Sequence, residues 1–348
     1  MPGRKIHRKK RNIFLNILNK GGINKGTIYV AVIMICLIFT AYIMVGGTPP
    51  TAIPKSNNHF VSLIYPTNQP AGSNLQMHTF YGVTITPADP TSPPQAQPTT
   101  PPSIQSSCTT PYWSDEFNGA AGSAVDSSKW GFQLGQNQAN NELEYYTDRT
   151  QNSSMDGNGN LVITAIKENL AGATCTYGPC QYTSARLTTS GKFDTQYGRI
   201  EARIKLPFGQ GIWPAFWTLG SNIGQVSWPA CGEIDIMENI GRASDASTNH
   251  GSLHSPSGDP TALYNLPNGQ KFSDDFHLFS IEWDKDTVRF FVDNNLYDTR
   301  TITNNPSFNH PMFLILNIAV GGGWPGNPDA TTIFPQKMLV DYVRVCKN

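Results

Sequence analysis

The chain has 348 residues, enough for about two average domains or for one large all-β domain with additional segments. Its 25 Lys and Arg balance its 25 Asp and Glu, so it lacks the basic footprint of a nucleic-acid-binding protein. Charged residues make up only 14%, while Gly (31), Pro (26) and aromatic residues (11%) are generous, which disfavours helical bundles and favours a turn-rich β fold with an aromatic surface.

The charge is unevenly placed. Residues 1–107 hold nine basic residues and one acid, leaving 16 basic against 24 acidic residues in 108–348, a net charge of −8 there. Eight of the basic residues, from Arg4 to Lys25, fall in 1–26, which reads as a basic cytoplasmic tail. Thr27–Val45 then runs nineteen residues without a charge. At ~1.5 Å per residue such a helix spans about 28 Å, close to the hydrocarbon thickness of a bilayer. A cleaved signal peptide has a shorter apolar region, of about 7–15 residues, so the segment is expected to stay as a transmembrane anchor. Basic residues remain on the cytoplasmic side, which places the rest of the chain outside the cell, or secreted if the segment is cleaved. Residues 46–107 are dominated by Pro, Thr, Ser, Asn and Gln, with only Lys55 and Asp89 charged, and cannot bury enough apolar surface to offset chain entropy. They read as an extended linker.

From Cys108 the texture changes to short alternating runs separated by Gly, Asn, Asp and Pro. Leu161–Ile166, Gly198–Leu206, Phe279–Trp283, Val288–Val292, Met312–Ala319 and Met338–Val345 are the predicted strands, and their number and spacing indicate a sandwich or barrel over 108–348. No helix longer than a turn or two is signalled. Of six cysteines, Cys36 lies in the apolar segment, Cys108 and Cys346 bracket the domain, and Cys175 and Cys180 flank a short Tyr-Gly-Pro turn. Cys108–Cys346 and Cys175–Cys180 are the disulfides an exported domain would form. The first would contribute roughly 4–5 kcal/mol on the loop-entropy estimate, less any strain. Metal ligation by Cys175 and Cys180, with four residues between them, is the alternative. Cys231 is left as a free, buried thiol.

The informative segment is Gly232-Glu233-Ile234-Asp235-Ile236-Met237-Glu238-Asn239. Alternation puts Ile234 and Ile236 on one face of a strand and Glu233 and Asp235 on the other. Strict period-two counting sends Glu238 to the apolar side, where an ionised carboxylate would cost several kcal/mol unless paired. One residue absorbed as a β-bulge near Met237 returns it to the acidic face. Three carboxylates in a row repel one another and raise at least one pKa, which acid and base work by a carboxylate pair requires. The simpler alternatives are a solvated edge strand and a calcium site, although calcium loops draw their ligands from turns rather than a flat strand. Trp213, Phe216, Trp217 and Trp228 lie just upstream, and Trp324 sits in the Gly-rich loop Gly321–Gly326. Indole faces suit the C–H faces of sugar rings. Trp213, Trp217, Trp228 and Trp324 are therefore candidate substrate platforms.

These residues carry a resemblance. "GEIDIMEN" at 232–239, "GIWPAFWTLG" at 211–220, "GRIEARIKLP" at 198–207 and "IAVGGGWPGNP" at 318–328 resemble glycoside hydrolase family 16, and within it the laminarinase-type endo-β-1,3-glucanases. The likeness runs from "YWSDEFNG" at 112–119 to "VDYVRV" at 340–345 and leaves the anchor and linker outside. It implies a jelly-roll β-sandwich of the concanavalin A type with a cleft across one sheet, and retaining hydrolysis by double displacement. Glu233 would be the nucleophile, Glu238 the acid/base, and Asp235 the carboxylate that tunes protonation between them. Trp213 and Trp217 would wall the glycone subsites, Asn141 and Arg199 would bind sugar hydroxyls, and His254 would reach the catalytic strand. Arg199 could instead pair with Glu201 across a sheet face, and His254 could be a satisfied histidine under a loop. The resemblance further implies a structural Ca²⁺ away from the cleft, with Glu116 and Asp341 at ligand positions, and no cofactor for catalysis. The expected partners are a β-glucan and, through the anchor, the membrane; no nucleic acid is expected, and the protein should be a monomer. A wall-remodelling transglycosylase, a hydrolase of another β-glucan or galactan, and a non-catalytic glucan-binding protein are the competing functions. Presence of both Glu233 and Glu238 opposes the last.

Overall fold

The computed structural model describes residues 105–347, so the expected tail (1–26), anchor (27–45) and most of the linker lie outside the described residues. The principal strands are β1 (Leu161–Lys167), β2 (Arg186–Thr188), β3 (Gly198–Lys205), β4 (Ile212–Gly220), β5 (Glu233–Glu238), β6 (Thr248–His254), β7 (Thr261–Asn265), β8 (His277–Trp283), β9 (Thr287–Val292), β10 (Asn295–Thr301), β11 (Met312–Val320) and β12 (Gln336–Cys346). Each strand read from alternation is present, to within one or two residues at its ends. The helical content of the described residues is a four-residue turn at Ile223–Val226 and a short 3-10 turn at Pro306–Phe308. None of their helices is long and apolar enough to cross a membrane.

A seven-stranded sheet runs β7-β6-β5-β4-β11-β2 and ends on Gly131–Phe132. An eleven-stranded sheet contains the path β10-β9-β8-β3-β12-β1. Neighbours along both paths pair antiparallel, and the sequence order crosses repeatedly between the sheets, which is the jelly-roll sandwich expected. The core lies between the sheets. From the smaller sheet it takes Ile212 and Phe216 of β4, Ile234 and Ile236 of β5, and Leu314 and Leu316 of β11. From the larger it takes Ile200 and Ile204 of β3, Phe279 and Trp283 of β8, and Val343 and Val345 of β12. Period two thus sends one residue set inward on every strand, and each fully buried side chain contributes roughly 1.5–3 kcal/mol.

Strand β11 is buried along its whole length. Its Leu314 and Leu316 face the core, while Phe313 and Ile315 join Leu219 and Cys231 in a second cluster on the opposite face. That covered opposite face is where the acidic residues stand. The chain enters β5 through Gly232, at φ +71°, where a Cβ would come within 1.9 Å of the Ser307 carbonyl oxygen. Only glycine combines that dihedral with that approach. Cys108 and Cys346 are bonded with Cα atoms 5.6 Å apart, Cys175 and Cys180 with Cα atoms 5.1 Å apart, and Cys231 is free and buried.

Candidate active site

Strand β5 carries the bulge that its phase requires. Against β4, Glu233, Ile234 and Asp235 face Leu219, Thr218 and Trp217, whereas Met237 and Glu238 face Phe216 and Ala215, leaving Ile236 as the additional residue. Against β6, Glu233 faces His254, Asp235 faces Ser252 and Glu238 faces His250, with the register shifting between Asp235 and Glu238. Ile236 and Met237 are both buried in the core. Two successive residues turned inward bring Glu238 back to the face of Glu233 and Asp235.

Each carboxyl has its own neighbour. Trp213 Nε1 donates to Glu238 Oε1 at 2.9 Å, and Trp228 Nε1 donates to Glu233 Oε2 at 3.1 Å. His254 Nε2 lies 2.9 Å from Asp235 Oδ2 and 3.9 Å from Glu233 Oε1, and its Nδ1 lies 3.1 Å from Asp259 Oδ1. The first and last of these lie off the line of a hydrogen bond, since neither Asp235 Oδ2 nor His254 Nδ1 has an aligned partner. Burial, then the Asp235 charge, lifts Glu233 to about 8, with His254 opposing the rise. Burial lifts Asp235 to about 7. Glu238 is pushed well above the carboxylate range by burial and then by Asp235, against the pull of the Trp213 hydrogen bond. A row that disfavours charge keeps protons at neutral pH, so it can supply one to a leaving group. Among the described residues, Glu233, Asp235 and His254 also form the cluster whose ligand-type atoms approach closely enough for an ion. They are two of the acids of β5 and the histidine that faces them from β6.

Aromatic walls flank the row. Trp213 meets Trp324 edge-on at 5.2 Å, and His250 meets Trp324 edge-on at 4.7 Å. Trp217 donates its Nε1 proton to Asn317 Oδ1 at 2.9 Å, and the Arg186 guanidinium sits 4.7 Å from the centre of its ring. Trp228 and Trp324 are 53% and 38% exposed, so each leaves a face free for a ligand. Asn141 is exposed at φ +60° in a loop whose Asn140 carbonyl accepts from Gly323 N at 2.8 Å. The Asn141 and Trp324 loops therefore abut.

Two expectations need correction. Arg199 stands on β3 of the eleven-stranded sheet, not on the sheet of the acids. Ile200, Ala202 and Ile204 take the inward positions of β3, so Arg199 points outward with Glu201, to which its Nε donates at 2.7 Å; Ser280 and Asn294 accept from its Nη2. It cannot reach a sugar over β5. Glu116 binds Arg344 with both oxygens, at 2.8 and 2.7 Å, and Asp341 binds Arg203 at 2.7 Å. With guanidinium groups where a cation would sit, the pair does not fit a Ca²⁺ site.

Arg186 is the arginine that the site contains, and Asp259 and His250 join it among the residues that sequence reasoning missed. Arg186 sits in the run Ser-Ala-Arg-Leu-Thr, whose alternation against buried Ala185 and Leu187 was a usable signal. Asp259 lies in a loop and meets His254 only through folding.

A family model described as glycosyl hydrolases family 16 matches residues 139–344. Glucan endo-1,3-beta-glucosidase A1 of Niallia circulans is 34% identical over 333 residues, covering 85% of this chain and 47% of that protein. A beta-glucanase of Rhodothermus marinus is 38% identical over 258 residues, covering 67% of this chain and 83% of that protein. The chain thus spans about half the length of the first relative and most of the second. Among solved structures, the laminarinase catalytic domain of Thermotoga maritima is 48% identical with a TM-score of 0.62, covering 68% of this chain and 98% of that one.

Proposed function

The chain belongs to glycosyl hydrolases family 16, and from that premise we propose that it cleaves internal bonds of a laminarin-like β-1,3-glucan with retention of anomeric configuration. The observation that carries this reading is the bulged strand β5, which sets Glu233, Asp235 and Glu238 on one face between Trp213 and Trp228. Glu238, whose proton burial and the Asp235 charge help to hold, donates it to the departing glycosidic oxygen. Glu233, in its ionised form, attacks the anomeric carbon as that bond breaks, giving a glycosyl ester. Its ionised form is favoured by His254 and Arg186. Glu238, now charged, takes a proton from water, and the hydroxide so formed displaces Glu233. Two carboxyls on one strand, drawn together by a bulge, suit the separation of about 5–5.5 Å that retention needs. Incubating the protein with laminarin, lichenan, xyloglucan and agarose, and following the anomeric protons of the products, tests the reading. Cleavage of laminarin with the β-anomer formed first supports it, and preferred cleavage of another glycan reassigns the substrate.

The same proposal places the enzyme outside the cell, held by Thr27–Val45 on the linker of residues 46–107 and acting as a monomer. The basic run of 4–25, the uncharged segment after it and the two disulfides support this placement. Protease added to intact cells should release an active fragment of the 108–348 size. A mature N-terminus just after Val45 would show a cleaved signal instead.

A further inference from the structure

On the β11 side of Trp217, away from the acids, a line of hydrogen bonds runs into the molecule and ends on a carboxylate. Trp217 Nε1 donates to Asn317 Oδ1 at 2.9 Å, Asn317 Nδ2 donates to the Tyr146 hydroxyl at 3.3 Å, and that hydroxyl donates to Glu142 Oε2 at 3.3 Å. Glu142 Oε1 accepts from Asn137 Nδ2 at 2.8 Å and Asn140 Nδ2 at 3.0 Å. Tyr146, Glu142 and Asn317 are each at least 95% buried.

The directions are forced. Indole only donates, so Asn317 must turn its oxygen to Trp217 and its amino group to Tyr146. Having accepted there, the Tyr146 hydroxyl has one proton to place, and Glu142 receives it. Every bond in the line points toward a group that accepts with both oxygens, the pattern of an ionised carboxylate. Glu142 also borders the second wall loop, since it bridges to Gly321 and the Asn140 carbonyl accepts from Gly323 N at 2.8 Å.

Glu144, beside it, differs. It is fully buried, its Oε2 accepts from Val320 N at 2.6 Å, and its Oε1 has no aligned partner. Burial and then the Glu142 charge push its pKa well up, so it is the neutral member of the pair.

We propose that Glu142 is a positioning residue of the cleft: its carboxylate orients Trp217 through Asn317 and Tyr146 and holds the Asn137–Asn141 loop, so it sets the affinity for the polysaccharide and leaves bond cleavage to β5. This rests on the function proposed above. An amide at position 142 has one accepting oxygen in place of two, so either the Tyr146 hydroxyl or the Asn137 and Asn140 amino groups would meet its N–H instead of an acceptor. An amide at 144 would replace a neutral acid by a group of the same shape that still accepts from Val320.

The test compares Glu142→Gln, Glu144→Gln and Tyr146→Phe in the full chain, by laminarin kinetics and by the indole N–H resonance of Trp217, assigned with Trp217→Phe. Glu142→Gln should raise KM at least tenfold with kcat within threefold and should shift the Trp217 resonance. Tyr146→Phe, which breaks one link and keeps the ring, should shift the same resonance with a KM rise of about threefold. Glu144→Gln should leave KM and kcat within twofold and the resonance in place. A fixed Trp217 resonance in both Glu142→Gln and Tyr146→Phe overturns the proposal, as does a loss confined to kcat. If Glu142→Gln fails to fold, Tyr146→Phe decides. If the wild-type chain cleaves no β-glucan, the function reading fails, and the Trp217 resonance alone decides this one.

Discussion

Glu238 receives an indole proton from Trp213, while Glu233 receives one from Trp228 and faces both His254 and Arg186. The proposed acid/base and nucleophile are thereby distinguished by surroundings rather than by residue type, and small anions can tell them apart. In Glu238→Ala, a substrate with a good leaving group should still glycosylate Glu233, and azide should then give a β-glucosyl azide with retained configuration. In Glu233→Ala, azide should attack an activated β-donor directly and give the α-azide. Reversed products would exchange the two roles. Without azide, each variant should lose at least about 10³-fold in kcat/KM. The same environment carries a stability cost whose sign follows from proton uptake. Glu233 holds its proton up to about 8 when folded, whereas an unfolded chain releases it near 4.5. Between those limits the folded state binds more protons, so stability falls as pH rises through the window and levels off above it. Glu233→Gln should therefore melt with the wild type near pH 4. By pH 8 it should be the more stable by on the order of 4 kcal/mol, or roughly 8–16 °C in Tm by calorimetry.

At the scale of one strand, the work is done by the bulge in β5. Removing Met237 leaves Glu-Ile-Asp-Ile-Glu, in which simple alternation keeps all three acids on the cleft face, and the ladder opposite Ala215, Phe216 and Trp217 becomes regular. The deletion should retain measurable laminarin cleavage while costing roughly 2–5 kcal/mol, because Met237 is fully buried in the core. Inserting one alanine after Met237 should instead turn Glu238 inward and cut activity by at least about 10³-fold. A folded deletion variant without activity would falsify the phase argument. This strand was legible because its constraint is local: Glu238 falls out of period with Glu233 and Asp235, and a buried carboxylate is too costly to leave there. Trp213 was legible from the aromatic cluster just upstream of the acids and His254 only through the resemblance; the structure places both on strands that pair directly with β5. Arg199 was placed in the cleft by the resemblance alone, and its alternative, pairing with Glu201, is what the structure shows; outward alternation on β3 looks the same as outward alternation on the cleft sheet, so the pattern could not decide between them. Period two assigns a side chain to a face of its sheet and carries no information about which sheet. Arg186 was passed over because its alternation with Ala185 and Leu187, though readable, says nothing of which sheet the short strand joins. The line from Trp217 to Glu142 joins residues from separate strands and has no periodic trace at all.

For the molecule as a whole, the sandwich brings its first and last described segments together, because Trp113–Asp115 pairs with Arg344 and its neighbours at the end of β12. That pairing places Cys108 beside Cys346 across a separation of 238 residues, whereas Cys175 and Cys180 are five apart. If disulfides act by restricting the unfolded chain, the two bonds should differ in worth despite identical chemistry. Loop entropy assigns roughly 5 kcal/mol to the long closure and roughly 2 kcal/mol to the short one. Cys108→Ser with Cys346→Ser should thus lower the denaturation midpoint more than Cys175→Ser with Cys180→Ser. Replacing all four should sum the two effects, since the bonds share no partner. Activity at low temperature should survive the first pair of substitutions, because Cys346 lies on the eleven-stranded sheet and the acids of β5 lie on the other. Equal losses from the two pairs would show that local strain or packing, and not closure of the domain, governs what these bonds contribute. A fall in kcat with unchanged folding would show that the two sheets do not hold their geometry independently.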